Sequence, residues 1–192
     1  MPFMVDHIAV LVKKRHATQF NIRSIADLAR QSAVKYAVLA GGSTETILRH
    51  SRLEVHAAMW AAIDREGNAS RVRSIREGIE RVFASTDDRP SAFLTESLTL
   101  RYNAGHRCDM QVIVDPFAPR YLSLAVPLGS AYLDRLSQAI LYMLEDDQIN
   151  MLRGKWWHQR ACSSSANVFS FHHTKRQALY LFSLIIAVGL LL

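Results

Sequence analysis

Residues Gly41-Gly42-Ser43-Thr44 are the part of the chain best suited to hold a ligand. They follow a short apolar run, residues 36–39, and precede a segment with helical spacing of apolar residues. Glycine has no Cβ, so the backbone there can approach a ligand, and Ser43 is a favourable helix N-cap. A helix start presents unpaired N–H groups and a partial positive charge. The turn therefore predicts a carboxylate or phosphate site, although many such turns bind only water.

A second polar turn, Thr95-Glu96-Ser97, follows the apolar run 92–94. Strands that alternate with helices indicate the α/β class, with a parallel-rich sheet covered on both faces. In such sheets ligands bind beyond the carboxyl ends of the strands, so we expect the two turns to meet. A helix start that binds carboxylate, facing one acidic side chain, suits a zwitterion such as an amino acid. The alternative for Glu96 is a carboxylate that only stabilises the helix start beside it.

The periodicity places these turns within a longer series of elements. Residues 1–23 receive no assignment, because Asp6 and His7 interrupt the apolar stretch 1–12 and basic residues follow it, which is the wrong order for a secretory signal. Strands are predicted at 35–39, 92–94, 110–114 and 122–126, and helices at about 24–31, 43–65, 75–83, 97–102, 130–144 and 148–152. The spacings Ser24-Asp27 and Ser74-Glu77 predict capping boxes at two of these helices, and Gly129-Ser130 predicts the cap of another.

Composition narrows the class of protein. The chain has 192 residues, with 23 basic and 17 acidic side chains spread without a block, so we expect no nucleic-acid partner. Its two cysteines, Cys108 and Cys162, form no CxxC pair and predict no metal site; they are either free thiols or one disulfide. Asn68-Ala69-Ser70 is a glycosylation candidate at Asn68, meaningful only outside the cytosol. No Ser/His/Asp arrangement suggests catalysis, so we expect no enzyme and no cofactor.

Residues 178–192 carry no charge and are apolar all round. A membrane span needs about 20 such residues, so this run predicts a truncated transmembrane helix in contact with membrane lipid. The alternative is a buried C-terminal helix, which would show an apolar stripe on one side.

Several groups of residues, in order along the chain, resemble the ionotropic glutamate receptors, most closely the AMPA and kainate groups. The resemblance runs from about Ser24 to the chain end. The matching residues are Asp27-Leu28, Gln31, Tyr36, Gly42-Ser43-Thr44, Met59-Trp60, Glu77-Gly78-Ile79, Arg81-Val82, Phe93-Leu94, Glu96-Ser97, Pro127, Gly129-Ser130, Ala139-Ile140-Leu141, Lys155-Trp156-Trp157 and Cys162.

The resemblance implies one lobe of a two-lobed clamshell similar to periplasmic binding proteins. Residues 1–23 stay unassigned, 24–162 would form the second lobe of the ligand-binding domain, 163–177 a linker and 178–192 a partial transmembrane helix. By the same resemblance, Ser43 and Thr44 would hold the side-chain carboxylate of L-glutamate or a related amino acid. Glu96 would accept its ammonium, and Cys108 and Cys162 would form a disulfide.

The family also implies a setting for the parent protein. It would be a cation channel in the plasma membrane, including the postsynaptic membrane, with this lobe extracellular and with other receptor subunits in a tetramer. The first lobe and the pore segments are absent from this sequence, so the resemblance implies a fragment of a subunit or an incomplete gene model.

One departure from the family affects the ligand. Leu122 stands where AMPA and kainate receptors usually have a ligand-contacting tyrosine, with Tyr121 one residue away. A shift of one residue would turn Tyr121 to the other face of the strand. Three other interpretations stay open: a chemosensory relative with altered ligand, a non-conducting, membrane-tethered partner of full-length subunits, and an independent periplasmic-type binding module.

Overall fold

A computed structural model describes residues 1–117 and 119–158. Within these residues, strands and helices alternate along the chain. The strands are β1 (Pro2–Asp6), β2 (Ile8–Lys13), β3 (Lys35–Leu39), β4 (Arg71–Val72), β5 (Ser91–Glu96), β6 (Met110–Val114) and β7 (Arg120–Ser123). The helices are α1 (Lys14–Gln19), α2 (Ile25–Arg30), α3 (Ser43–His50), α4 (Glu54–Glu66), α5 (Ile75–Ala84), α6 (Ser97–Ala104), α7 (Leu133–Glu145) and α8 (Gln148–Arg153), with a 3-10 turn at Gly67–Ser70 and a π-helical turn at Gly154–His158.

The main sheet has the strand order β4-β3-β5-β2-β6. Strand β3 runs parallel to both β4 and β5, and Val38 lies opposite Leu94. Strand β2 runs antiparallel to β5 and β6, with Val10 opposite both Leu94 and Ile113. A separate antiparallel ribbon joins β1 to β7. The sheet therefore combines a parallel half and an antiparallel half.

Apolar side chains cover both faces of this sheet. Successive residues of a strand point to opposite faces, so the fully apolar run of β2 contributes to two cores. Ile8, Val10 and Val12 pack in the core that contains Leu28, Met59 and other residues of α2 and α4, whereas Ala9 and Leu11 pack in the core that contains residues of α5 and α6. The α/β class is confirmed.

The expectation of a parallel-rich sheet is only partly correct. Two of the strand pairs in the main sheet are parallel and two are antiparallel. The antiparallel pairs both involve β2, which lies in the segment 1–23 that received no assignment from the sequence. Asp6 and His7 interrupt the apolar stretch there because Asp6 ends β1 and His7 separates it from β2, a strand of the other sheet.

The long helix predicted from Ser43 to about residue 65 is two helices. The break lies at Ser51, whose backbone is extended (φ −69°, ψ 141°). The Ser51 hydroxyl accepts a hydrogen bond from the Leu53 N–H at 3.2 Å and contacts His56 Nδ1 at 2.8 Å. A serine side chain that bonds a nearby backbone group competes with the helical pattern, which explains the break.

Two of the predicted helix caps are present in the structure, and a third is not. Ser24 and Asp27 form a complete capping box at α2, as predicted, and Ser74 accepts from the Glu77 N–H at α5. The helix expected to be capped by Gly129-Ser130 begins only at Leu133, and β7 ends at Ser123 rather than at residue 126.

Among residues 1–117 and 119–158, no helix combines the length and apolarity that a membrane crossing requires. The predicted linker 163–177 and partial transmembrane helix 178–192 lie outside the described residues. Cys162 lies outside them as well.

Gly78 of α5 provides a test of the packing between this helix and the sheet. A Cβ at this position would lie 2.5 Å from one carbon of the buried Phe93 ring and 2.6 Å from two others. Alanine normally stabilises a helix interior by about 1 kcal/mol over glycine, whereas overpacking a core costs about 1–3 kcal/mol. We expect Gly78→Ala to lower the free energy of unfolding by about 1–3 kcal/mol, measured by urea denaturation.

The control is Glu80→Ala, an exposed position on the same helix, which should cost less than about 0.5 kcal/mol. A Gly78→Ala protein as stable as the unmodified chain would mean that Phe93 does not lie against this helix.

Candidate ligand-binding site

The first part of the site is the turn between β3 and α3. Gly41 has a positive φ of 66°, which favours glycine, and its N–H donates to Glu45 Oε2 at 2.7 Å. Glu45 Oε1 in turn accepts from Arg71 Nε at 2.8 Å. The N-cap of α3 is Gly42, not Ser43 as predicted. Ser43 is the first helical residue, so its hydroxyl can contact groups outside the helix.

Glu96 lies at the end of β5, directly opposite this turn. Because β3 and β5 are parallel neighbours, both strands end at the same edge of the sheet. Ser43 Oγ donates to Glu96 Oε1 at 2.5 Å, and Thr95 Oγ1 donates to Glu96 Oε2 at 2.7 Å. The structure thus brings Ser43 and Glu96 together, as the order of elements in the sequence suggests.

The capping hydrogen bonds at the start of α6 come from a residue other than Glu96. Glu96 is the N-cap of α6, but its side chain makes no capping hydrogen bond. Asp6 Oδ1 instead accepts from the Leu98 N–H at 3.1 Å and from Ser97 Oγ at 2.6 Å. Asp6 is 4% exposed, so these contacts satisfy a buried carboxylate. The Glu96 side chain is therefore free to face Ser43.

Arg120 is the functional side chain that sequence reasoning missed. Its Nη1 donates to Ser43 Oγ at 2.9 Å and to Glu96 Oε1 at 3.3 Å, and its Nη2 donates to the buried Thr44 Oγ1 at 3.4 Å. It therefore joins all three predicted ligand-binding residues. One signal could have found it: Arg120 precedes Leu122 by two positions, so the two lie on the same face of a strand.

The ribbon of β1 and β7 holds Arg120 in place. Asp6 and Arg120 are directly paired across the two strands. The Arg120 Nε is buried and has no hydrogen-bond partner in the part of the chain that the structure describes. A buried N–H without an acceptor is unfavourable, so this atom could bind a ligand oxygen.

The charges of the site favour an ionised Glu96. Burial opposes the carboxylate form, but hydrogen bonds from Ser43 and Thr95 and the positive charge of Arg120 outweigh it, so the pKa of Glu96 is lowered. The stabilisation is therefore present above the unfolded-state pKa and is lost as the pH falls through the folded-state pKa. Glu96 and Arg120 therefore form a pair of opposite charges in the site.

These groups line a cavity of about 770 Å³. Ser43, Glu96, Asp6 and Arg120 form a polar cluster in its lining, and Thr99 and Asn103 of α6 add two uncharged polar groups. The rest of the lining, which we name the apolar wall, consists of Phe3, Met4, Leu98, Tyr102, Leu122 and Trp157. A cavity of this volume is large enough for a small organic ligand.

The other predicted site residues lie elsewhere. Asn68 is exposed in the 3-10 turn after α4, and Cys108 lies in the turn before β6. The disulfide with Cys162 stays a prediction, since Cys162 lies outside the described residues. Within residues 1–117 and 119–158, no cluster of three His, Cys, Asp or Glu side chains could hold a metal ion.

A buried chain of Ser51, His56 and Asp115, which sequence spacing did not reveal, links α4 to the segment before β7. His56 Nε2 lies 2.6 Å from Asp115 Oδ2, and both residues are at most 2% exposed. Asp115 Oδ1 accepts from the Phe117 N–H at 2.9 Å. These contacts fix the start of the connection that leads to Arg120.

Comparison with known proteins gives a consistent result. No protein-family model matches the chain. It is 32% identical over 146 residues to glutamate receptor ionotropic, kainate 1, of Homo sapiens, a match that covers 76% of this chain and 16% of that receptor. The Rattus norvegicus receptor of the same name is 31% identical over 141 residues, covering 73% of this chain and 14% of the receptor. The chain thus spans only a small part of the length of these relatives.

A solved structure shares the fold. The chain is similar to the Drosophila muscle GluRIIB complex with glutamate, with a TM-score of 0.70 and 27% sequence identity over 82% of this chain and 60% of that one.

The α/β fold has hydroxyl and carboxylate side chains at one sheet edge, and it matches these relatives. It is therefore part of the ligand-binding region of a receptor. The chain belongs to the ionotropic glutamate receptor family. Its relatives are ionotropic receptors and not enzymes, in agreement with the expectation from the sequence.

Arg120 is expected to control the ionisation of Glu96. In Arg120→Gln the carboxyl keeps its burial but loses the nearby positive charge, so we expect the pKa of Glu96 to rise. Carbon-13 NMR titration of the glutamate carboxyl groups measures this change. Arg76→Gln, on the exposed face of α5, is the matched control and should leave the Glu96 pKa unchanged. An unchanged Glu96 pKa in Arg120→Gln would contradict the contact between the two side chains.

Proposed function

We propose that the chain forms one lobe of an amino-acid-binding receptor and is a fragment of a ligand-gated, glutamate-type cation channel subunit. The observation that carries this proposal is the convergence of Ser43, Thr44 and Glu96 at the ends of two parallel strands. Family membership supports it, because one similar structure is a complex with glutamate.

The proposed roles follow from the chemistry of each group. The hydroxyls of Ser43 and Thr44 and the N–H groups at the start of α3 would hold a ligand carboxylate. Glu96, ionised and half-buried, would accept the ligand ammonium through a charge-assisted hydrogen bond. The expected ligand is L-glutamate or a related amino acid.

The gating role would need parts that this sequence does not contain. In the proposed mechanism a ligand bridges this lobe and a first lobe, and it favours the closed form only by binding that form more tightly. Closure would then open the pore of an assembly of several subunits, expected to be a tetramer in the plasma membrane.

Three features outside the site belong to the same proposal. They are a partial transmembrane helix at 178–192, a Cys108–Cys162 disulfide and glycosylation at Asn68, which together would fit an extracellular lobe next to a membrane. A disulfide closing a loop of that length would stabilise the lobe by roughly 4 kcal/mol on the loop-entropy model.

An altered ligand is the second candidate, and one observation favours it. Leu122 lines the cavity in the place of the tyrosine expected from the family. A chemosensory receptor whose ligand differs from glutamate would fit this change.

Glu96 is the residue on which the proposed binding depends. Glu96→Ala would leave the ligand ammonium and Arg120 without their anionic partner, a loss of about 3–5 kcal/mol. We expect no detectable binding when the full chain is titrated with L-glutamate, L-alanine and L-phenylalanine at millimolar concentrations. NMR of the indole N–H of Trp157, which lines the cavity, provides the readout.

Glu80→Ala removes an exposed carboxylate from α5 and should bind like the unmodified chain. Retained binding in Glu96→Ala would exclude Glu96 from the site.

A further inference from the structure

The apolar wall of the cavity carries no charged side chain that would bind a second ligand carboxylate. Six large apolar or aromatic side chains form it, whereas the charged residues of the lining, Asp6, Glu96 and Arg120, are neighbours of one another. Placing an ionised group against such a surface costs free energy unless it finds a partner. The cavity therefore suits a ligand that is charged at one end only.

Leu122 belongs to the apolar wall and is a near neighbour of Arg120 in the sequence. It follows Arg120 by two positions in β7, so both side chains project from the same face of the strand. Leucine offers neither a donor nor an acceptor, so this position cannot orient a polar ligand side chain. It can only contribute apolar contact.

The charged groups of the lining are complementary to an α-amino acid head group. Glu96 offers an anion to the ammonium, and the Arg120 guanidinium offers a cation whose Nε–H is buried and has no acceptor among the described residues. A carboxylate oxygen at that N–H would satisfy it, and the Ser43 and Thr44 hydroxyls lie beside it. One ion pair can thus receive both charges of a zwitterion.

We propose that this cavity selects an α-amino acid with a large apolar or aromatic side chain over L-glutamate, and that Leu122 determines this specificity. The inference rests on the proposed amino-acid-binding function and adds the class of ligand. The head group lies at Glu96 and Arg120, and the side chain of the ligand packs on the apolar wall.

The test uses the full chain in detergent micelles, labelled with nitrogen-15 at tryptophan. Trp157 reports on the cavity, and its indole N–H donates to the Leu98 carbonyl at 2.8 Å. Trp60 serves as the internal control, since it packs beside Arg49 and Arg71, side chains that do not line this cavity. The three probes are L-phenylalanine, L-glutamate and 3-phenylpropionate, which lacks the ammonium.

We expect L-phenylalanine to shift the Trp157 signal at a concentration at least about tenfold lower than L-glutamate, with Trp60 unchanged. 3-Phenylpropionate should bind more weakly than L-phenylalanine. Equal or tighter binding of L-glutamate would overturn the preference and leave amino-acid binding intact. Equal binding of 3-phenylpropionate would overturn the amino-acid head group, and no response to any probe would overturn both this inference and the proposed function.

Leu122→Ser tests the specificity residue. It should lower the affinity for L-phenylalanine about tenfold and leave that for L-glutamate unchanged, whereas Leu128→Ser, at a fully exposed leucine, should change neither. Leu122→Ala should give a smaller loss in the same direction, and the Trp60 signal verifies that each variant folds. Unchanged L-phenylalanine binding in both Leu122 variants would overturn the role of Leu122.

Discussion

The parallel pairing of β3 and β5 is the constraint on which the site depends. It makes both strands end at one edge of the sheet, so α3 and α6 begin side by side. Ser43 and Glu96 are 53 positions apart in sequence, yet their side chains are in hydrogen-bond contact at 2.5 Å. Reversing either strand would place one of these residues at the opposite edge.

The second pair of strands, β1 and β7, supplies the positively charged side chain of the site, Arg120. The ribbon of β1 and β7 lies outside the main sheet, and its register places Arg120 opposite Asp6. Asp6 also accepts hydrogen bonds from the start of α6, the helix that follows Glu96. The buried Asp6 carboxylate therefore holds the start of α6, next to Glu96, close to the strand that carries Arg120. The contact between His56 and Asp115 fixes the other end of the connection, before β7 begins.

Local signals in the sequence correctly predicted several strands and helices. The apolar runs before Gly41 and Glu96 predicted β3 and β5, and the capping spacing at Ser24 predicted α2. With the alternation of elements, they also predicted the α/β class and the proximity of Ser43 to Glu96, although Thr95 and Glu96 belong to β5 and not to the turn that was predicted there. The family was recognised from short motifs in their order.

Other parts depended on contacts that a single sequence does not display. Residues 8–12 of β2 are all apolar because both faces of the strand are buried there, a pattern that periodicity cannot distinguish from other buried segments. The break at Ser51 depends on one side-chain hydrogen bond, and Arg120 reaches the site only through the register of β1 and β7. The pairing of β1 with β7 is long-range, so neither spacing nor composition reveals it.

The hydrogen bonds already present in the site limit how strongly it can bind a ligand. Glu96 Oε1 already receives Ser43 and Arg120, so a ligand ammonium must share or replace existing hydrogen bonds. Exchanging one charge-assisted hydrogen bond for another gives a small net gain, because the contact that the ligand makes replaces one that the site loses. On the proposed function, most of the binding free energy would therefore come from the apolar wall and from a second lobe. That division would suit a clamshell, since a ligand held weakly by one lobe would gain most of its affinity on closure and so shift the balance towards the closed form.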